Sequence, residues 1–191
     1  MSTIAPRPLR ADARRNREKV VAAASAAFAE TGLEAQVEDI ARRAGVGVGT
    51  VYRHFPTKEA LVDALAEQHF ERLADTMEAA LAEQGDPWQI FAAAIWSSST
   101  AAAGDIAWCE MMGGRPSAVR AASRGQQRLA VATAALIARA QEAGVMRQDA
   151  TVDDFRTIMC GFGHVVAAQH AGARLDWRRY LEIALDGLRA R

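Results

Sequence analysis

The sequence predicts an all-α protein of about nine helices. Three observations carry this. Apolar residues recur at helical spacing (i, i+3, i+4, i+7) along nearly the whole chain. No segment sustains the strict apolar–polar alternation of a half-buried strand. Glycine, proline and small capping residues punctuate the chain where one helix would stop and the next begin.

The elements follow in order. Val20, Ala24, Ala27 and Phe28 line one face of a helix that ends near Gly32. Val37, Ile40, Ala41 and Ala44 make a short second helix closed by Gly45. Val51, Tyr52 and Phe55 fit a third, stopped by Pro56. Thr57 can cap a fourth, from Lys58 to about Glu83. Gly85, Asp86 and Pro87 read as a stop, a cap and a first-turn proline, opening a fifth helix to about Ala103. Gly104 to Pro116 is irregular or a short helix. A long helix is expected from Ser117 to Ala143, ended by Gly144. Thr151 and Asp154 form a capping-box-like pair for a helix reaching about Ala171. The last helix starts at Asp176 and runs to the end of the sequence.

With 191 residues, half of them apolar and a quarter charged, the chain can build an ordinary globular core of one or two domains. Two cysteines, Cys109 and Cys160, are too few for a disulfide scaffold, and a reducing cytoplasm is the expected setting. No apolar stretch follows the basic start, so no secretory leader is expected, and charges interrupt every helix-length window, so no membrane partner is expected either. Net charge is zero but unevenly spread. Residues 1–60 hold ten Lys/Arg against seven Asp/Glu, with Arg7, Arg10, Arg14, Arg15, Arg17 and Lys19 crowded together. A basic head on a slightly acidic body suits nucleic acid, although a solvated tail would look the same.

The most informative stretch is Ala44–Leu61, AGVGVGTVYRHFPTKEAL. Gly45 supplies a left-handed helix end, Gly47 can cap the next helix, and Val46 plugs the angle between the two. This is the anatomy of a helix-turn-helix. On a helical wheel Val51, Tyr52 and Phe55 face one side, while Gly49, Thr50, Arg53 and His54 occupy the other. A narrow outer face bearing donors, with a glycine near its start, is what entry into a major groove requires. Lys58 stands in the first turn of the fourth helix, where a cation is disfavoured unless an anion docks there; a lysine pointing into solvent is the plain alternative.

These residues resemble the DNA-binding domain of the tetracycline-repressor (TetR) family of bacterial regulators. The resemblance rests on Phe28, Gly32, Asp39-Ile40-Ala41, Ala44-Gly45-Val46, Thr50-Val51-Tyr52, His54-Phe55 and Lys58-Glu59-Ala60-Leu61. It implies a homodimer whose recognition helices enter successive major grooves of a palindromic double-stranded operator. It further implies that Thr50, Tyr52, His54 and Lys58 hold phosphates while Val48, Gly49 and Arg53 face bases. Gln36 stands where the family usually has Ser or Thr capping the second helix and contacting phosphate, and Gly47 replaces the usual Ser cap of the third. Val48 cannot hydrogen-bond a base but can pack on a thymine methyl. The implied organisation is a helix-turn-helix domain over residues 1–60, with a basic arm over 1–12, and a helical effector-binding and dimerisation domain over 61–191.

For the second domain the family implies a small-molecule effector and dimerisation through the last two helices; the expected mechanism is a ligand-responsive repressor in which effector binding shifts the angle of the fourth helix and spreads the recognition helices. Large or adaptable side chains suggest the pocket: Trp88, Phe91, Trp96, Trp108, Met111, Met112, Phe155, Met159 and Phe162. Each is equally at home in a core. If they do line a pocket, the effector is hydrophobic or aromatic. Gly161 and Gly163 inside a helix suggest a close approach or a cavity, and Gly113-Gly114-Arg115-Pro116 a gate. The dimer stripes would be Phe155, Met159 and Val166 on one helix and Trp177, Leu181, Leu185 and Leu188 on the other. An alternative is a metal- or redox-responsive regulator using Cys160 and His164, four residues apart on one helix face, with Cys109-Glu110 as further ligands. Otherwise no metal and no cofactor is expected. Nor is an enzyme, because there is no nucleophile elbow, phosphate loop or HExxH motif.

Overall fold

The computed structural model describes residues 7–105, 108 and 123–190, leaving aside the side chains of residues 7–10 and 33. Eight α-helices and one 3-10 turn lie among the described residues, with no strand. Backbone contacts divide the chain into two units, one ending at Leu65 and the other beginning at Ala66, so the cut falls inside a helix.

In the first unit, α1 spans Arg7–Thr31, and the 3-10 turn Gly32–Glu34 leads to α2, Val37–Ala44, and α3, Val48–His54. Residues 7–12, expected in a basic arm, are therefore helical. The composition explains it: Ala and Arg are strong helix formers, and Arg15 bonds Asp12 one turn back while Arg14 pairs with Glu18 at 3.7 Å. Residues 1–6 lie outside the described set. The α1 helix packs against α2 and α3. Val20, Phe28, Ile40 and Val51 are sealed in the core between them. Arg43 on α2 also grips Glu30 on α1 through two hydrogen bonds of 2.8 and 2.6 Å, which holds the Glu30 carboxyl below its usual range. The next helix, α4, is Lys58–Ala82, with Thr57 Oγ1 accepting the Ala60 N–H at 3.1 Å as an N-cap.

The second unit holds the rest of α4, then α5 (Pro87–Ala103), α6 (Arg124–Glu142), α7 (Val152–His170) and α8 (Trp177–Leu188). Asp86 caps α5 with proline in the first turn, and Thr151 with Asp154 closes a reciprocal capping box on α7. Two ends differ from expectation. The long helix, expected from Ser117, begins at Arg124, because Ser123 is extended and makes a capping box with Gln126; residues 117–122 lie outside the described residues. The last helix stops at Leu188, because Arg189 turns extended and bridges Met146.

Helix α6 is tied to α4 along its length. Glu67 accepts the Gly125 N–H at 3.0 Å, Arg128 clasps Glu78 and Asp75 at 2.6–3.0 Å, and Arg139 donates to the Glu83 carbonyl at 3.0 Å. At Gly125 the helices nearly touch: an added Cβ would lie 2.8 Å from the Glu71 nitrogen and 3.0 Å from Phe70 Cβ. A second close approach joins α7 and α8. The Tyr180 hydroxyl fills the place of the missing side chain at Gly161 and donates to the Ile158 carbonyl at 2.9 Å. Gly161 thus marks a close approach, one of the two alternatives its position in the sequence left open.

His69, on α4, is only 7% exposed. Its ring stacks on Trp108 at 3.6 Å and 11°. Burial, and then the neighbouring Arg72 guanidinium, push its pKa down to about 3. Between an ordinary pH of about 6.5 and about 3, the unfolded chain binds a proton there that the folded chain refuses. The stability contributed by neutral His69 is intact above that window and is lost as pH falls through it.

Two outcomes follow from this packing. Gly125→Ala should destabilise the fold by about 1–3 kcal/mol in urea titration, since backbone rather than a flexible side chain must yield. Acidification from pH 7 to pH 5 should lower the urea midpoint, at a slope approaching ~1.4 kcal/mol per pH unit for this one group, and His69→Gln should flatten that slope.

Candidate nucleic-acid interface and effector site

The turn between α2 and α3 starts from Gly45, at φ 66° and ψ 34°. Its N–H donates to the Arg42 carbonyl at 3.2 Å, and the Val46 N–H to the Ala41 carbonyl at 3.0 Å. This is the Schellman closure, which satisfies carbonyls the helix end would otherwise orphan. Gly47 then turns extended and accepts the Thr50 N–H at 2.8 Å, starting α3 within two residues. Only seven residues long, ~10 Å of helix, α3 is anchored from behind by Val51 at 1% exposure and by Phe55, just past its end, at 3%.

The residues singled out in the sequence lie around this helix. Gly49 and Arg53 are exposed, Tyr52 is 46% exposed, and Val48, Thr50 and His54 are half-buried. A Cβ at Gly47 or Gly49 would meet nothing within 4 Å, so the fold itself does not require glycine at either position. Lys58 is half-buried, with its ammonium 5.9 Å from the centre of the Phe28 ring, a cation–π distance, rather than simply pointing into solvent. Gln36 is the extended N-cap residue of α2, but its side chain makes no cap hydrogen bond; its Nε2 donates instead to the Glu34 carbonyl at 2.8 Å. An amide there leaves the first α2 N–H groups without the oxygen that Ser or Thr would supply.

In the second unit the aromatic candidates fall into three groups. Phe91 has Trp88 and Phe155 each 5.9 Å away between ring centres. Trp177 meets Phe162 edge-on at 5.6 Å and Trp96 at 6.1 Å. Trp108 stands with His69 and Phe70. Met159 is half-buried, and Met111, Met112 and residues 113–116 lie outside the described residues. Of the expected dimer stripes, Phe155, Val166, Trp177, Leu181, Leu185 and Leu188 are at most 8% exposed in the single chain, so they already pack within it. Around α7 and α8 the large apolar side chains turned outward are others, Leu175 and Ile183, at 47% and 56%. His164 turns Nδ1 to the Cys160 carbonyl at 3.0 Å, and no group of three metal-ligating side chains occurs among the described residues. Cys109 and Glu110 are not among them.

His69 was missed from the sequence, although a histidine on the apolar face Ala66, Phe70, Met77 was the available sign. Glu67, which reaches across to the start of α6, carried no sign at all.

Gly45→Ala should lower stability by about 1 kcal/mol in chemical denaturation, because an L side chain resists its left-handed backbone.

Comparison with known proteins agrees with this geometry. Residues 20–65 match the family model for bacterial regulatory proteins of the tetR family, and residues 88–190 that for the SbtR-like transcriptional regulator C-terminal domain. Among curated proteins, the HTH-type transcriptional repressor KstR of Mycolicibacterium smegmatis is 44% identical over 84 residues, 42% of this chain and 41% of KstR. The chain thus spans about two fifths of the length of the curated relatives it matches. Two solved structures match nearly end to end. A TetR transcription regulatory protein from Mycobacterium vanbaalenii is 35% identical, with 96% of this chain and 100% of that one covered and a TM-score of 0.63. A TetR transcriptional regulator from Streptomyces coelicolor is 33% identical over 91% of this chain and 98% of its own, with a TM-score of 0.58. No helix among the described residues is long and apolar enough to cross a membrane. With its helix-turn-helix and the adjoining helical region both matched, the chain belongs to the TetR family of bacterial transcriptional regulators.

Proposed function

We propose that the protein is a ligand-responsive repressor that binds a palindromic operator as a homodimer in the cytoplasm and leaves it when a small effector binds. The observation that carries this reading is the outer face of α3. Arg53 and Tyr52 are exposed, with open space over Gly49, on a helix held from behind by buried Val51 and Phe55. A glycine that packing does not need lets a helix backbone approach a groove wall closely. Arg53 can bond a guanine edge in two places, and Val48 can meet a thymine methyl. Thr50, Tyr52, His54 and Lys58 hold flanking phosphates, and Gln36 can offer its amide to another.

Helices α7 and α8 provide the dimer contact. Their stripes, from Phe155 through half-buried Met159 to Val166 and from Trp177 through Leu188, hold the pair together from inside, while Ile183 and Leu175 offer apolar surface outside. The aromatic groups around Phe91 and Trp177 are the apolar walls of the effector region.

The test is retention of the DNA upstream of its own gene in a gel shift. Affinity should fall steeply with salt, and Lys58→Ala should reduce the salt slope by about one unit per subunit. Arg53→Ala should weaken the complex by ~1–3 kcal/mol and relax the sequence preference at one position of each half-site. Gly49→Ala should keep or raise the thermal midpoint, since alanine is the better helix former, yet lose at least about tenfold in affinity. A complex insensitive to salt, or one untouched by all three substitutions, would exclude α3 as the reading helix.

A further inference from the structure

Five buried side-chain atoms of the second unit have no hydrogen-bond partner among the described residues. They are Glu67 Oε2 and His69 Nε2 on α4, Ser98 Oγ and Ser99 Oγ on α5, and Thr133 Oγ1 on α6. Natural interiors leave few polar groups unpaired, because each costs its full desolvation. The hydroxyls are informative by contrast. Thr76, Thr100 and Thr157 each bond back to the carbonyl four residues earlier, at 3.0, 2.8 and 2.8 Å. A helix can therefore satisfy a hydroxyl by itself, yet Ser98, Ser99 and Thr133 are turned elsewhere. The two helices that carry them, α5 and α6, pack against each other.

His69 gives the set a direction. The Arg72 guanidinium has only donors, so His69 Nδ1, 3.2 Å from it, accepts. The ring is neutral, and its proton therefore sits on Nε2. That N–H points into the interior with no described acceptor. The ring cannot swing to find one, because it lies flat on Trp108, which in turn meets the Phe70 ring at 5.2 Å. A clamped donor without an acceptor is preorganised for a ligand.

The geometry points to His69 as the polar anchor of the effector site: its Nε2–H donates to a carbonyl or similar oxygen on a compact, uncharged effector. This rests on the reading of the second unit as effector-binding. None of the five unpartnered atoms is cationic, Glu67 brings a carboxylate, and the nearby Arg72 guanidinium is engaged at Nδ1, the other nitrogen of the His69 ring, so an anionic effector finds no free counter-charge at Nε2. The effector is therefore not the purely hydrophobic molecule that the aromatic residues alone suggest.

The test uses the full chain with ¹⁵N-labelled histidine and three small probes of similar size: acetophenone, ethylbenzene and benzoate. Acetophenone should move the His69 Nε2 resonance and bind at least about tenfold more tightly than either of the others. His69→Phe, which keeps a flat ring on Trp108, should abolish the preference; His69→Gln, which keeps a donor, should restore part of it. An Nε2 resonance unmoved by saturating acetophenone overturns the proposal with no variant needed. So does equal binding of acetophenone and ethylbenzene, benzoate binding as well as acetophenone, or a preference that survives His69→Phe. Retention of the upstream DNA is scored separately, on the protein without any probe. Its absence there, with probe discrimination intact, overturns the regulator reading and upholds the role of His69.

Discussion

The first unit depends on one residue with a left-handed backbone. Gly45 ends α2 and, through the paired hydrogen bonds from its own N–H and that of Val46, closes the helix end without side-chain help. The chain is then free to start α3 two residues later. That short connection sets the crossing of α2 and α3, and the crossing decides which face of α3 turns outward. Val51 and Phe55 can be buried only because the turn delivers them to the α1–α2 core. Arg53, Tyr52 and Gly49 are outward for the same reason. The recognition surface is a by-product of how the other side of the helix packs.

The second unit is organised differently. Its α4–α6 contact is held by polar groups spaced along both helices: Glu67 on the Gly125 N–H, Arg128 between Glu78 and Asp75, and Arg139 on the carbonyls that end α4. The exposed ion pair contributes little alone, about 1 kcal/mol or less. The value of the set lies in register, since each tie fixes the same axial position that Gly125 requires by its close approach to Phe70 and Glu71. The polar atoms left over inside this unit are then informative, because a scaffold that satisfies its helix ends so thoroughly has no general shortage of partners.

How much could be read in advance follows the range of the interactions. Asp86, Thr151, Thr57 and Gly45 act within a few residues, and the helix ends they set were legible in the sequence. The start of α6 was not legible in the same way, although Ser123 with Gln126 three residues on, which makes the reciprocal bonds, was the local sign. The basic stretch after Arg7 drew attention by its charge, while its spacing of Asp12 against Arg15 and Glu18 against Arg14 marked a helix. The apolar stripes of α7 and α8 showed that those faces are covered but not by what, since periodicity is silent on whether the cover comes from the same chain. His69 on Trp108 joins positions 39 residues apart, and Glu67 on Gly125 joins positions 58 apart, so neither left a local trace.

The Tyr180 hydroxyl seated at Gly161 has a consequence of its own. It works as a peg in a notch, and the Ile158 carbonyl latches the peg. Helices α7 and α8 therefore cannot slide past one another by even one residue without drawing the peg out and stranding its oxygen. The two positions are a single unit of variation: a bulkier residue at 161 is compatible only with a shorter one at 180.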